Sequence, residues 1–159
     1  MWFKNCEIYV PEVLVSARAM HAGMEILEPL LAAAGAKAKG TFVVGTVKGD
    51  LHDIGKNLVA MMMKGAGWKV VDIGVDADPD KFVQTALDND ADVIGLSALL
   101  TTTMVNMKQV IELARNKDCR AKVVVGGAPL TQNYASEIGA DGYAPDAATA
   151  VEVVNSMIG

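Results

Sequence analysis

The chain has 159 residues, 52% of them apolar, with a formal net charge of −5 and an isoelectric point near 4.9. That length fits one ordinary domain with a small appendage, and an acidic chain with no block of lysine and arginine excludes a general nucleic-acid-binding surface. No apolar run reaches membrane-spanning length, the opening MWFKNCEIYVPEV lacks a signal peptide's apolar centre, and two distant cysteines, Cys6 and Cys119, read as inert thiols in a reducing cytoplasm.

From about 11 to 34 the pattern predicts a helix. Pro11 suits a first helical position, where its missing N–H costs nothing. Val13, Ala17, Met20, Met24, Leu27 and Leu31 then recur as one apolar stripe. Pro29 is expected to kink or restart that helix. GAKAKG, Gly35 to Gly40, reads as a linker.

After Gly40 strands and helices alternate. The expected strands are TFVVGTV (41–47), WKVVDIG (68–74), ADVIGLS (91–97), AKVVVGG (121–127) and a short edge strand in DGYAP (141–145). The expected helices are GKNLVAMMMKGAG (55–67), DPDKFVQTALDND (78–90, with Asp78 as N-cap before Pro79), one long helix over 101–118, TQNYASEIG (131–139) and DAATAVEVVNSMIG (146–159). This alternation implies a five-stranded parallel sheet covered on both faces, in the flavodoxin-like (Rossmann-like) order 2-1-3-4-5. Ligands of such sheets bind beyond the carboxyl ends of the strands, at the switch point between the first and third.

The loop GDLHDIGKNLV (49–59) lies at that switch point. It is not a phosphate loop: five residues rather than four separate Gly49 from Gly55, and Asn57 follows Lys56 where a Ser or Thr would hold magnesium. What remains is Asp50-x-His52-x-x-Gly55. A histidine there can reach out as a metal ligand, with Asp50 taking its second N–H and fixing the tautomer; Gly55 would leave the backbone open to a bulky ligand. Taken alone, the motif also fits a surface histidine in a polar loop.

Two further features join it: Ser97-x-Leu99 at the end of the third strand, and Gly126-Gly127 at the end of the fourth. Together the three resemble, in order and spacing, the signature of cobalamin-binding domains in methyl-transfer corrinoid proteins, similar to the cobalamin-binding region of methionine synthases. The resemblance covers roughly Gly40 to Gly159 and divides the chain into a cobalamin-binding domain at 40–159 and a segment at 1–39. That segment looks like the last part of a helical cap, with a linker, and appears short at its N-terminus.

The resemblance implies a cobalamin (corrinoid) cofactor, in its methylcobalamin form, with His52 as lower axial ligand to cobalt in place of the cofactor's own base. Asp50 would accept the bond from the other imidazole nitrogen, and Thr103, six positions after Ser97 where relatives carry serine, would complete a relay. The implied cofactor-binding set is Asp50, His52, Asp53, Ile54, Gly55, Ser97, Leu99, Thr101, Thr103, Gly126, Gly127, Tyr143, Ala144 and Asp146. In it Ser97 meets the displaced benzimidazole, Leu99 packs on the ring, the paired glycines leave room a Cβ would fill, and Gly142 to Asp146 closes the tail's far end. Met20, Met24 and Leu27 are candidates to cover the upper corrin face, with ordinary core packing as the alternative. Core packing is also the expectation for Met61 to Met63, and His21 reads as a solvated or satisfied histidine.

The function implied is a carrier cycling methyl-Co(III) and Co(I) between a donor and an acceptor methyltransferase, not catalytic alone, with room for a reductive activator among its partners and none for nucleic acid or membrane. Proton uptake by the His52–Asp50–Thr103 set would favour the state in which His52 is off the metal. Two other functions share the signature: the small subunit of an adenosylcobalamin radical mutase, which generally lacks the cap-like helix, and a cobalamin sensor, whose DNA-binding forms need a basic helix-turn-helix segment. A signalling receiver of the same fold would want an acidic residue where Ser97 stands.

Overall fold

A computed structural model of the protein describes residues 10–33 and 37–158. Cys6 and part of the expected linker lie outside the described residues, as do the side chains of His21 and Met24. The order of elements is α1 (Val10–Ala33), β1 (Thr41–Thr46), α2 (Ile54–Gly65), β2 (Lys69–Asp72), α3 (Pro79–Asp88), β3 (Val93–Ser97), α4 (Thr101–Met104), α5 (Asn106–Asn116), β4 (Lys122–Gly126), α6 (Gln132–Glu137), β5 (Gly142–Ala144) and α7 (Ala147–Ile158). The strands form one parallel sheet in the order β2-β1-β3-β4-β5, as the alternation requires.

The pleat of each strand divides the core in two, because successive side chains point to opposite faces. Val43, Ile94, Leu96, Val123 and Val125 face Phe82 and Val83 of α3 and Met107, Val110 and Ile111 of α5. Phe42, Val44, Val93 and Val124 face Ala60 and Met63 of α2 and Ala150 and Val154 of α7. Helix α1 packs on α2, where Met20 lies against Gly65. Of the three consecutive methionines, Met63 is fully buried and Met61 and Met62 are half-buried. No described helix is long and apolar enough to cross a membrane.

Three local outcomes differ from the sequence pattern. Helix α1 is a single element through position 29, so the proline does not restart it. The long helix expected over 101–118 is two, α4 and α5, separated at Val105. Three successive threonines have little helix propensity of their own, and the break leaves α4 free to serve the loop beside it. Asp78 precedes Pro79 in an extended conformation, but its carboxylate makes no cap bond and faces Lys48 at 3.3 Å.

Candidate functional site

Register places the site. Thr46 of β1, Ser97 of β3, Gly126 of β4 and Ala144 of β5 are successive partners across the sheet, so the three sequence motifs begin at or just beyond one row at its carboxyl edge.

Asp50 is fully buried just beyond β1. Its Oδ1 accepts from the His52 backbone N–H at 3.0 Å and lies 2.7 Å from His52 Nδ1. Its Oδ2 accepts from the Leu99 N–H at 2.8 Å and from the Thr103 hydroxyl at 2.7 Å. Burial pushes this carboxyl upward, but the bonds from Leu99, Thr103 and His52 outweigh it and hold the group well below the ordinary carboxylate range. An ionised carboxylate only accepts. The proton between the two side chains therefore sits on His52 Nδ1, so in the neutral imidazole it is Nε2 that carries the lone pair. The Thr103 hydroxyl is also 3.0 Å from the Leu100 carbonyl; its single proton is donated to Asp50, the shorter contact.

The His52 side chain is 52% exposed. Leu51, Ile54 and Leu99 line the same cleft as His52 and are all exposed large hydrophobic residues, as is Leu100 next in the chain to Leu99. Exposed leucines singly need no explanation, but a cluster around one imidazole forms an apolar seat. From the seat a cleft of about 630 Å³ enters the protein on the sheet face covered by α2 and α7. His52, Asp53, Ile54, Gly55, Ser97, Leu99, Gly126, Gly127, Ala144 and Asp146 of the expected set line it. Asp50 and Thr103 lie behind the imidazole instead. Thr101 is exposed on α4 and is not part of the lining. Tyr143 is not in the lining either; it packs on the opposite core, its hydroxyl donating to the Leu130 carbonyl at 3.0 Å. The Asp146 carboxylate is engaged as the cap of α7, accepting from the Thr149 N–H at 2.8 Å and hydroxyl at 2.9 Å.

The glycines act differently from one another. A Cβ on Gly55 would meet nothing within 4 Å, so this position opens onto the seat. A Cβ on Gly126 would come within 2.9 Å of the Ala144 carbonyl oxygen, and one on Gly127 within 1.8 Å of the Ala98 carbonyl oxygen. The room spared at these two is thus occupied by neighbouring backbone. Met20 sits against the far end of α2, roughly 16 Å along that helix from the loop of His52, and Leu27 is half exposed.

The inner wall of the cleft escapes a motif search. Phe42, Val44, Gly95, Val124, Ala150 and Val154 line it and read in sequence as plain core. One signal was available: Gly95 is a glycine inside a strand, which marks close approach, and a Cβ there would strike the Phe42 ring at 2.5 Å. Lys56 also lines the cleft although it is 3% exposed; its ammonium is held by Asp72 and by Asn57 Oδ1 at 2.6 Å.

Residues 40–152 match the model of the B12 binding domain family. The chain belongs to the B12-binding family. It is 48% identical, over 99% of its length and 75% of the relative's, to a corrinoid protein of Desulfitobacterium hafniense strain Y51. It is 44% identical, over 98% of its length and 74% of the relative's, to dimethylamine corrinoid protein 3 of Methanosarcina acetivorans. Among solved structures it resembles a chain of the methanol:cobalamin methyltransferase complex of Methanosarcina barkeri, with a TM-score of 0.86 and 30% identity over 99% of this chain and 60% of that one.

The cofactor of this B12-binding chain is a corrinoid, and the residues present fit it. No group of three or more histidine, cysteine, aspartate or glutamate side chains that could hold a metal occurs among the described residues. A bare ion would therefore lack donors, whereas a macrocycle brings its own equatorial nitrogens and asks for one axial base over an apolar seat. His52, the hydrocarbon rim and the open side of Gly55 offer that combination.

Proposed function

We propose that this chain is the corrinoid-bearing methyl carrier of a cobalamin-dependent methyltransferase system, working between a donor and an acceptor methyltransferase. The observation that carries the reading is a half-exposed imidazole with its Nδ1 proton bound to a buried, ionised carboxylate, at the mouth of a deep apolar cleft. The relatives' names and the methyltransferase complex support the methyl-transfer role over the mutase and sensor alternatives. Residues 40–159 form the cofactor-binding unit in this reading, and 1–39 a helical cap segment with linker. The half-buried free thiol of Cys119 is compatible with a cytoplasmic setting.

When bound, the corrinoid supplies a cobalt centre that accepts a methyl group from one protein and yields it to another. The protein's own residues set the conditions. His52 would hold the cobalt through Nε2, its Nδ1 being engaged by Asp50. Asp50 fixes the tautomer that makes this possible, and Thr103 holds Asp50 from the opposite side. Leu51, Ile54 and Leu99 exclude water from the seat, while Ser97 offers a hydroxyl in the cleft that receives the nucleotide tail. A protonated imidazole has no lone pair to give, so His52 would hold the cobalt only in its neutral form.

Two measurements test this. The nitrogen-15-labelled protein reconstituted with unlabelled hydroxocobalamin and reduced to the Co(II) state should show one labelled axial nitrogen, distinct from the cofactor's own base, by electron paramagnetic resonance. His52→Ala should lose that signal and bind about tenfold more weakly, since the cleft contacts persist. A variant with unchanged spectrum overturns the ligand assignment. In a separate experiment, methyl transfer from methylcobalamin-loaded protein to a thiol or folate acceptor should require a co-purifying methyltransferase; loaded protein that supports no transfer with any such partner would count against the carrier role.

Gly55 gives a cleaner separation of binding from folding. Gly55→Leu should fold at least as well as the parent, because a leucine replaces glycine in a helix at a site with no neighbour. Its affinity for hydroxocobalamin should fall about 30-fold, because the side chain projects into the seat. Equal affinities, measured by absorbance titration, would show that the seat lies elsewhere.

A further inference from the structure

The His52 backbone lies in an irregular stretch, 50–53, between β1 and α2, so no helix or sheet ladder fixes it. Two groups outside the signature do. Thr46, fully buried at the end of β1, donates its hydroxyl to the His52 carbonyl at 2.8 Å. With the His52 N–H bound to Asp50 Oδ1, the residue is gripped at both of its backbone polar groups. Asp76, in the loop after β2, grips the residues just before it. Its N–H donates to the Asp50 carbonyl at 3.0 Å, and its Oδ1 accepts from the Gly49 N–H at 2.8 Å. Asp76 has φ of 49°, in the left-handed region that aspartate and asparagine tolerate better than most residues. Lys48 approaches the same carboxylate at 3.7 Å on the surface, a contact of small energetic consequence.

We propose that Thr46 and Asp76 are positioning residues for the axial ligand: by clamping the 49–52 backbone from two neighbouring strand ends they set how firmly His52 sits on the metal. The inference rests on His52 being the axial ligand. A ligand atom on a loose loop loses conformational freedom on coordination, whereas a clamped one has lost it already. Each clamp is a hydrogen bond whose removal shifts the coordinated-to-free ratio about fivefold toward free.

The test uses the full nitrogen-15-labelled chain reconstituted with unlabelled hydroxocobalamin and reduced to Co(II), with the coordinated fraction read from the labelled axial-nitrogen signal. Thr46→Val removes the hydroxyl at nearly constant volume, and Thr46→Ser keeps it. Asp76→Ala removes both the acceptor and the tolerance for positive φ, and Asp76→Asn keeps both. The expected result is a fivefold fall in the coordinated-to-free ratio for the Val and Ala variants, with the Ser and Asn variants near the parent. A role in folding alone would lower stability and leave this ratio where it was. Because Asp76 is on the surface, its pair of variants decides the matter if Thr46→Val does not fold. Parental ratios in the Val and Ala variants overturn the inference, as does an equal fall in all four. A parent without any axial-nitrogen signal overturns the ligand assignment as well, which separates the two failures.

Discussion

Gly127→Ala is expected to destabilise the protein by about 4 kcal/mol or more, enough to leave much of it unfolded. Two costs add. The residue has φ of 139°, where a side chain is strained, and the new Cβ would sit 1.8 Å from the Ala98 carbonyl oxygen. That oxygen belongs to backbone, so no flexible side chain can move aside. Gly126→Ala should cost less, about 1–2 kcal/mol, since its φ is ordinary and its nearest neighbour lies at 2.9 Å. Urea unfolding of the cofactor-free protein checks both. A Gly127→Ala protein with the parent's midpoint would mean that the spared room belongs to the ligand after all.

Asp50→Asn is expected to cost about 3 kcal/mol at neutral pH. An asparagine offers one acceptor and turns two N–H bonds toward a group of donors from Leu99, Thr103 and His52. The pH dependence has a definite sign. The folded carboxyl titrates below its unfolded value, so it contributes stability that is fully present above the ordinary carboxylate pKa of about 3.9 and is lost as pH falls through the lower folded value. The gap between parent and variant should therefore stay constant from about pH 7 to pH 5. It should then narrow by up to about 1.4 kcal/mol per pH unit below about pH 4. Urea midpoints that run parallel down to pH 3 would contradict the ionised, hydrogen-bonded state.

The sheet was legible because its strands are continuous apolar runs punctuated by glycine and proline, and the order followed from the βαβ rhythm. The row Ser97–Gly126 was legible because each motif ends a strand, and parallel register aligns such ends. The parts that stayed hidden are contacts that no local pattern encodes. The grip of Asp50 on the Leu99 N–H uses backbone. The bond from Thr46 to the His52 carbonyl joins a strand end to a loop, and the pairing of Lys56 with Asp72 joins a helix to an edge strand. The break at Val105 was hidden for a related reason. An apolar period runs on through 101–118, while Thr103 is drawn to Asp50 and ends the first turn as a separate piece. In sequence Gly127 suggests room for a ligand, and only the path of the chain after β3 shows that the Ala98 carbonyl already fills it.

Asp50 follows the first strand, while Leu99 and Thr103 follow the third, about fifty positions later in the chain. Closing so large a loop is slow and comes only once both strands have paired. A chain emerging from synthesis, or one partly melted, therefore presents an ordinary imidazole with no fixed tautomer. The buried carboxylate thus gains its partners from Leu99 and Thr103 only when β1 and β3 have paired, and the set-up of the His52 imidazole is a late product of folding.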